Sequence, residues 1–130
     1  MQNENGPLLF IFAAYIIFMR IIKQPASLVK IWEERETAFE EVLKIVVDIE
    51  KNLIAVDAEM HADLEQILLK DGSAQQDLWG ANIYPLRSEK DQLEYTSLIN
   101  IRPAIGNRSM EVADPLIRKK IQVIVSELLK

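Results

Sequence analysis

The sequence predicts an α+β domain in which a largely antiparallel sheet of four to five strands has helices packed on one face. Several segments alternate apolar and polar residues with the period of two that is typical of half-buried strands. Other segments repeat apolar residues every three or four positions, which indicates amphipathic helices. Short turns or short helical excursions join most strand segments, and such connections favour antiparallel pairing. A chain of 130 residues is long enough to form one such domain with its own core.

The first half of the domain is predicted as a strand, a helix and a hairpin. Residues 19–23 predict a short strand, and Ser27 is a suitable N-cap for a helix whose apolar stripe runs as far as Val42. Residues 43–50 alternate, and residues 53–60 return as a second strand after a two-residue turn. Because the second strand is apolar on both faces near its start, we expect it inside the sheet.

The second half is predicted as a short helix, a second hairpin and a closing helix. The short helix follows His61 and ends at Gly72, a residue type that favours the end of a helix. Residues 77–85 and 93–102 both alternate and are joined by a charged loop, so they predict the hairpin. The alternation places Asn82 and Tyr84 on one face of the first strand, and Ile101 on the face of the second strand that we expect to be buried. Asp114 as N-cap and Pro115 at the first helical position begin the closing helix. Its predicted core residues are Ile117, Ile121, Ile124 and Leu128.

Residues 1–18 do not fit this domain, which we place at residues 19–130. The apolar run of residues 7–19 is about thirteen residues long, shorter than the roughly twenty that span a bilayer. No Lys or Arg precedes this run, which argues against a signal peptide. Three interpretations stay open. Translation begins at Met19 and residues 1–18 are a start-site artefact; the segment is a short anchor with Arg20 and Lys23 on the cytoplasmic side; or it is an extra helix that packs on the domain or on a partner.

Charge and cysteine content limit the function classes. The net charge is −5 and the pI is about 4.9, so we expect no general nucleic-acid binding. Acidic residues dominate residues 33–65, whereas basic residues dominate from residue 100 onward. The chain has no cysteine and therefore no disulfide and no thiolate nucleophile or ligand. This composition fits a cytoplasmic protein. The alternative is a protein anchored in the membrane through residues 7–19, and any membrane contact would depend on residues 1–18.

The single histidine, His61, lies among carboxylates. If the preceding strand continues this far, Asp57, Glu59 and His61 project from one face, and Asp63 follows at the start of the helix. One imidazole with flanking carboxylates could bind a divalent metal or provide a general base with an orienting acid, and Glu59, His61 and Asp63 are the catalytic candidates. The alternative is that His61 is hydrogen-bonded to a neighbouring group and that Asp63 caps the helix. The sequence contains no metal-protease, phosphate-loop or nucleophile-elbow motif, so we predict neither a metal site nor a cofactor.

A second polar set follows the strand predicted at residues 93–102, where Pro103 ends the strand and Gly106 marks a tight turn. Guanidinium, amide and hydroxyl groups at this place could bind a phosphate or carboxylate. The candidate ligand-binding residues are Asn100, Arg102, Asn107, Arg108 and Ser109, with Asn82 nearby. The alternative is structural: the arginines pair with acids from the middle of the chain, and the amides bind the backbone of the loop.

Several runs of the sequence resemble a small prokaryotic family that is known only as a domain of unknown function. These runs are V-V-D-I-E-K, E-M-H-A-D, D-L-W-G-A-N-I-Y-P, S-L-I-N-I-R-P-A-I-G-N-R-S and D-P-L-I-R. The resemblance covers residues 19–130 and implies a domain that begins near Met19, which favours the start-site interpretation of residues 1–18. It implies no activity and no catalytic residues.

Two functional hypotheses follow from these residues. The first is a non-catalytic binding or regulatory domain that recognises a small anionic ligand or an acidic protein partner through the loop of residues 107–109. The second is a small hydrolase or metal-dependent enzyme that combines Glu59, His61 and Asp63 with Arg102 and Arg108. The enzyme would require both groups to face one cleft. The binding domain would show them apart, with the loop exposed beside an apolar patch.

Overall fold

The computed structural model describes residues 19–130. Residues 1–18, and with them the three interpretations of that segment, lie outside the described residues. The strands are β1 (Arg20–Ile22), β2 (Leu43–Asp48), β3 (Leu53–Val56), β4 (Leu78–Ile83) and β5 (Leu93–Glu94). The helices are α1 (Leu28–Glu34), α2 (His61–Lys70) and α3 (Pro115–Leu128), with short 3₁₀ turns at residues 75–77, 89–91, 98–100 and 103–105.

The five strands form one sheet in the order β1-β3-β2-β4-β5, and every neighbouring pair is antiparallel. This confirms the predicted α+β class and the antiparallel sheet. The β2–β3 hairpin forms as its alternation predicts, and β3 lies inside the sheet between β1 and β2. Its turn has four residues, 49–52, and not the predicted two, because the Asp48 carboxylate accepts hydrogen bonds from the N–H groups of Glu50 and Lys51. The start of α3 is also confirmed, because the Asp114 carboxylate accepts a hydrogen bond from the N–H of Leu116 at 2.8 Å.

The helices cover both faces of the sheet, whereas the sequence predicts them on one face. α1 and α3 pack on the face that carries Ile45 and Val47, and they form the larger core cluster with it. α2 packs on the opposite face against Val46, Ala55 and Leu78. The physical reason lies in β2 and β3, which are apolar on both faces and therefore need cover on both sides.

Three predicted elements are shorter in the structure by four residues or more. The strand predicted at residues 53–60 ends at Val56, so it does not continue to His61. α1 ends at Glu34 because Arg35 turns to an extended conformation and donates a side-chain hydrogen bond to the carbonyl of Trp32 at 2.7 Å. The strand predicted at residues 93–102 is correct only for its first two residues, which form β5. Beyond them, Ser97 begins a 3₁₀ turn by accepting a hydrogen bond from the N–H of Ile99. Residues 95–113 therefore form a long loop, here called the 95–113 loop.

Within residues 19–130, the helices are all too short or too polar to cross a membrane.

Candidate functional site

Asn100 is the centre of the 95–113 loop and is completely buried. Its Oδ1 accepts a hydrogen bond from the N–H of Gly80 at 2.8 Å, and its Nδ2 donates to the Gly80 carbonyl at 3.0 Å. The same Nδ2 donates to the carbonyl of Met110 at 3.0 Å. A Cβ at position 80 would lie 2.5 Å from the Cβ of Ser97, so the close approach of loop and strand requires glycine there. The Asn100 side chain thus replaces a strand partner for β4 at a position that β5 does not reach.

Asn107 holds the outer part of the same loop. Its Nδ2 donates to the carbonyls of Asn100, Ser109 and Glu111 at 2.8, 3.0 and 2.9 Å, and its Oδ1 accepts from the N–H of Ala113 at 2.9 Å. Backbone hydrogen bonds in both directions join residues 102 and 107, across a turn in which Gly106 has a φ of 88°. The amide of Asn107 is therefore occupied by the backbone of the loop, and the amide of Asn100 by the backbone of β4 and of the loop.

Ser109 and Arg108 differ in what they contact. The Ser109 hydroxyl accepts a hydrogen bond from the N–H of Glu111 at 3.1 Å and lies 3.2 Å from the carbonyl of the same residue. The Arg108 side chain is exposed, and within the described residues it makes no ion pair and no side-chain hydrogen bond. Arg108 is thus the predicted ligand-binding residue whose side chain keeps its full hydrogen-bonding capacity in the described part of the chain.

Arg102 ties the loop to the rest of the domain. Its guanidinium donates to the carboxylate of Glu65 on α2 at 2.8 Å and also to the carbonyl of Leu78 on β4. The two side chains of this ion pair are 13% and 11% exposed. The sequence predicts pairing with an acid from the middle of the chain as the structural alternative, and Glu65 is that acid. We conclude that Arg102 positions the loop through a largely buried ion pair.

His61 is the first residue of α2 and is buried against the sheet. Its Nε2 lies 2.9 Å from the carbonyl of Ala81, so this nitrogen carries the proton and donates it to that oxygen. Burial lowers the pKa of His61, and the positive charge of Lys44 lowers it further. The imidazole is therefore held in its neutral form as part of the contact between α2 and β4.

The carboxylates near His61 point elsewhere. Glu59 and Asp63 line a separate cavity whose lining includes neither His61 nor Arg102. The predicted cap at Asp63 is not formed, because Met60 occupies the N-cap position and makes no side-chain hydrogen bond there. Among residues 19–130, no cluster of three or more His, Asp or Glu side chains could hold a metal ion.

A polar cluster on β4 and β5 was missed by the sequence interpretation. Asn82 donates from Nδ2 to a carboxylate oxygen of Glu94 at 2.8 Å, and the hydroxyl of Tyr84 donates to the same oxygen at 3.2 Å. Burial raises the pKa of Tyr84, and the negative charge of Glu94 raises it further. The alternation placed Asn82 and Tyr84 on one face, but their common partner depends on the β4–β5 register, in which Asn82 faces Glu94. Asn82 therefore belongs to this cluster.

Four large apolar side chains on the 95–113 loop are exposed, although the alternation predicts Ile101 in a buried face. They are 40% to 70% exposed and comprise Leu98, Ile101, Ile105 and Met110. Two backbone pairings hold together the segments that carry these side chains. Ser97 donates its N–H to the carbonyl of Met110 at 3.0 Å, and residues 102 and 107 pair as described above. We call these four side chains together with Arg108 the apolar loop surface. The sequence signal that would have indicated this surface is the recurrence of large apolar residues in a segment that is rich in turn residues.

Residues 20–128 match the family model described as "Protein of unknown function (DUF5674)". No curated protein and no solved structure matches the chain significantly. The match confirms the resemblance to a family without an assigned activity, and its first residue lies one position after Met19.

Proposed function

We propose that this protein, which belongs to the DUF5674 family, is a non-catalytic binding or regulatory domain that recognises an acidic segment of a protein partner. The apolar loop surface is its recognition site. The observation that carries the proposal is the presence of four exposed apolar side chains and an exposed guanidinium on a single loop.

Large apolar side chains that are exposed singly are normal on a folded domain, whereas several of them together mark interaction sites. Four of the nine large apolar side chains that are exposed among the described residues lie on this one loop. Arg and Met are enriched in protein interfaces, and Arg is frequent among the residues whose truncation costs most binding energy. Leu98 is 70% exposed, so much of its side chain could be buried by a partner. Arg108 would supply a charge-assisted hydrogen bond to a carboxylate of the same partner.

The shape of the loop is fixed before binding. The amides of Asn100 and Asn107 hold its backbone from within, and the ion pair of Arg102 with Glu65 attaches it to α2. Binding to a preformed loop loses less conformational entropy than binding to a disordered one, so a larger part of the contact energy appears as affinity.

A protein partner explains this surface better than a small anion does. An inorganic anion would require several convergent donors, but the amides and the hydroxyl predicted for that role are used within the loop. A small anion would also leave the exposed apolar side chains without a function. An acidic segment that carries apolar residues of its own would use both kinds of group.

The enzyme hypothesis lacks the convergence that it requires. His61 and Arg102 are directed onto carbonyls of β4 at Ala81 and Leu78. Glu59 and Asp63 face a cavity that is lined by neither of them. The catalytic candidates therefore belong to separate parts of the described structure. We propose the cytoplasm as the location, since a chain without cysteine needs no oxidising compartment for its folding.

The test is a selection of displayed peptides on the whole protein, followed by titration of the recovered peptides. We expect peptides that combine acidic and apolar residues. Arg108→Ala should weaken their binding about fivefold or more at low salt and less at high salt, because salt screens exposed charges. Leu98→Ser should also weaken binding at both salt concentrations.

Lys30→Ala is the matched control, because Lys30 is an exposed cation on α1, outside the loop. A titration with inorganic phosphate separates the small-anion alternative. If the recovered peptides bind Arg108→Ala and Leu98→Ser as well as they bind the unchanged protein, the apolar loop surface is not the recognition site. Saturable binding of phosphate that depends on Arg108 would instead assign the loop to a small anion.

A further inference from the structure

A cavity of about 930 Å³ lies between the start of α1, the end of α3 and the loop that joins β4 to β5, and we call it the α1–α3 cavity. Its floor is formed by apolar side chains that are buried or half-buried, whereas most side chains on its rim are polar and exposed. The floor includes Leu28, Ile83, Leu93, Val125 and Leu129. The rim includes Glu89, Lys90, Gln122, Ser126 and Lys130. A concave, largely apolar surface of about 300 to 1,000 Å³ with a few polar groups is typical of a small-molecule site.

The walls of the α1–α3 cavity are held by hydrogen bonds that form without a ligand. At one end Ala26 donates its N–H to the carbonyl of Leu128 and accepts from the N–H of Lys130, both at 2.9 Å. These bonds join the segment before α1 to the end of α3. At the other end the side chain of Gln92 donates to two carbonyls of the β4–β5 loop at 3.2 and 3.1 Å. A ligand would therefore enter a preformed cavity, and little affinity would be lost to ordering its walls.

Two polar side chains that line the cavity have free hydrogen-bonding capacity. Tyr95 is half-buried, and its hydroxyl makes no hydrogen bond to the described residues. This hydroxyl is accessible, unlike the unpartnered polar atoms of the described residues that are shielded from solvent. Burial raises the pKa of Tyr95, although the charge of Arg118 lowers it, so the hydroxyl keeps its proton at neutral pH and can donate. Lys90 is exposed and forms no ion pair with the described residues.

Lys90 and Tyr95 also line an adjoining cavity of about 590 Å³, so they lie at the junction of the two. Arg87 lines the adjoining cavity, lies over the ring of Tyr84 at 3.7 Å and forms no ion pair with the described residues. The carboxylates of this cavity each accept a hydrogen bond from a neighbouring side chain; they belong to Asp91, Glu94 and Glu111. The cations at the junction are thus available to an anionic group.

We propose that the α1–α3 cavity binds a carboxylate that carries a single unbranched aliphatic chain. The chain lies on the apolar floor between α1 and α3, where its burial supplies most of the affinity. The carboxylate lies at the junction of the two cavities, where it pairs with the ammonium of Lys90 and accepts a hydrogen bond from the hydroxyl of Tyr95. This site goes beyond the proposed function, because it uses none of the side chains of the apolar loop surface.

The test is calorimetric titration of the full chain with decanoate below its micellar concentration. We expect saturable binding at one site per chain. Lys90→Gln should weaken this binding about threefold at low salt and less at high salt, because the ion pair lies at an exposed rim. Tyr95→Phe should weaken it about twofold or more through the loss of one hydrogen bond. Decanol, a neutral chain of the same length, should bind more weakly than decanoate, and Lys90→Gln should leave its binding unchanged.

Ser126→Trp tests the location of the chain. Ser126 is exposed on α3 and lines the cavity, so an indole at this position should fill the cavity without unfolding the domain. Binding of both decanoate and decanol should fall about tenfold or more. Val123→Trp and Lys120→Gln are the matched controls, because both residues are exposed on α3 and line neither cavity. They should leave binding unchanged.

The proposal is overturned if decanoate shows no saturable binding, if Ser126→Trp binds decanoate as well as the unchanged protein does, or if a control variant weakens binding as much as Ser126→Trp. Equal affinity for decanoate and decyltrimethylammonium would also overturn it, because the site would then not select an anion. Selected peptides whose binding is lost with Ser126→Trp but kept with Leu98→Ser would instead assign the cavity to a protein partner. The decanoate titrations change no side chain of the apolar loop surface, so their failure would leave the proposed function intact.

Discussion

Arg102→Ala should be among the most destabilising substitutions in the 95–113 loop. The Glu65 side chain is 11% exposed in the intact pair, and the substitution leaves its carboxylate with one remaining side-chain contact, the amide of Gln75 at 3.5 Å. It also removes the donor to the carbonyl of Leu78. Breaking a buried ion pair by removing one partner typically costs about 3–5 kcal/mol in the free energy of unfolding. Both side chains of the Arg102–Glu65 pair are slightly more exposed than those of a fully buried pair. We therefore expect the free energy of unfolding to fall by about 3 kcal/mol, at the lower end of that range.

Urea unfolding at pH 7 measures this loss as a shift of the midpoint. Arg108→Ala is the matched control and should change the free energy of unfolding by less than about 0.5 kcal/mol, because that side chain is exposed. The variant Glu65→Gln and the double variant complete a thermodynamic cycle. The double variant should lose less stability than the sum of the two single variants, since it leaves no buried charge behind.

Two results would refute this reasoning. If Arg102→Ala costs less than about 1 kcal/mol, the pair behaves as a surface ion pair and does not anchor the loop. If the effects of Arg102→Ala and Glu65→Gln simply add, the two side chains are not energetically coupled.

Four further outcomes are expected. Ile121→Ala should cost about 2–5 kcal/mol in urea unfolding because the side chain is fully buried, and a neutral effect would remove α3 from the core. Gly80→Ala should cost about 1–3 kcal/mol through the 2.5 Å approach to Ser97, and Ser97→Gly should recover part of that loss. Because burial lowers the pKa of His61 from 6.5, the folded state prefers the neutral ring, so stability should fall as the pH decreases from 6.5 through the folded-state pKa. His61→Gln should make that fall shallower, and an identical pH profile would contradict the assignment. A chain that begins at Met19 should have the same urea midpoint as the full chain, and a large decrease would make residues 1–18 part of the folded domain.

Local patterns were sufficient to predict the elements that depend on neighbours in the sequence. The β2–β3 hairpin follows from the alternation of its two strands, although its turn has four residues and not the predicted two. The start of α3 follows from an Asp that caps the helix and a Pro after it. The placement of α2 on the second face could also have been predicted, since Val46 and Ala55 are apolar on the side away from the main core.

Long-range side-chain contacts account for what the sequence did not predict. The alternation of apolar and polar residues continues past Glu94, but β5 ends there. Beyond Glu94 the Asn100 side chain, and not a strand backbone, makes the hydrogen bonds to Gly80 of β4. Glu65 lies 37 residues before Arg102, and the pairing depends on α2 crossing β4. The amides of Asn100 and Asn107, which the sequence predicts to bind a ligand, also find their partners through the folding of the loop onto β4 and onto itself, and these partners are backbone groups.

The 95–113 loop separates the residues that determine its shape from those that it displays. Asn100 and Asn107 define the backbone by hydrogen bonds to main-chain groups, and such bonds do not depend on the neighbouring side chains. The displayed positions are 98, 101, 105, 108 and 110. Their side chains can therefore be exchanged without a change of backbone, as in the hypervariable loops of antibodies. Randomising these five positions while Asn100 and Asn107 are kept would convert the domain into a small cysteine-free scaffold for selecting new binding specificities.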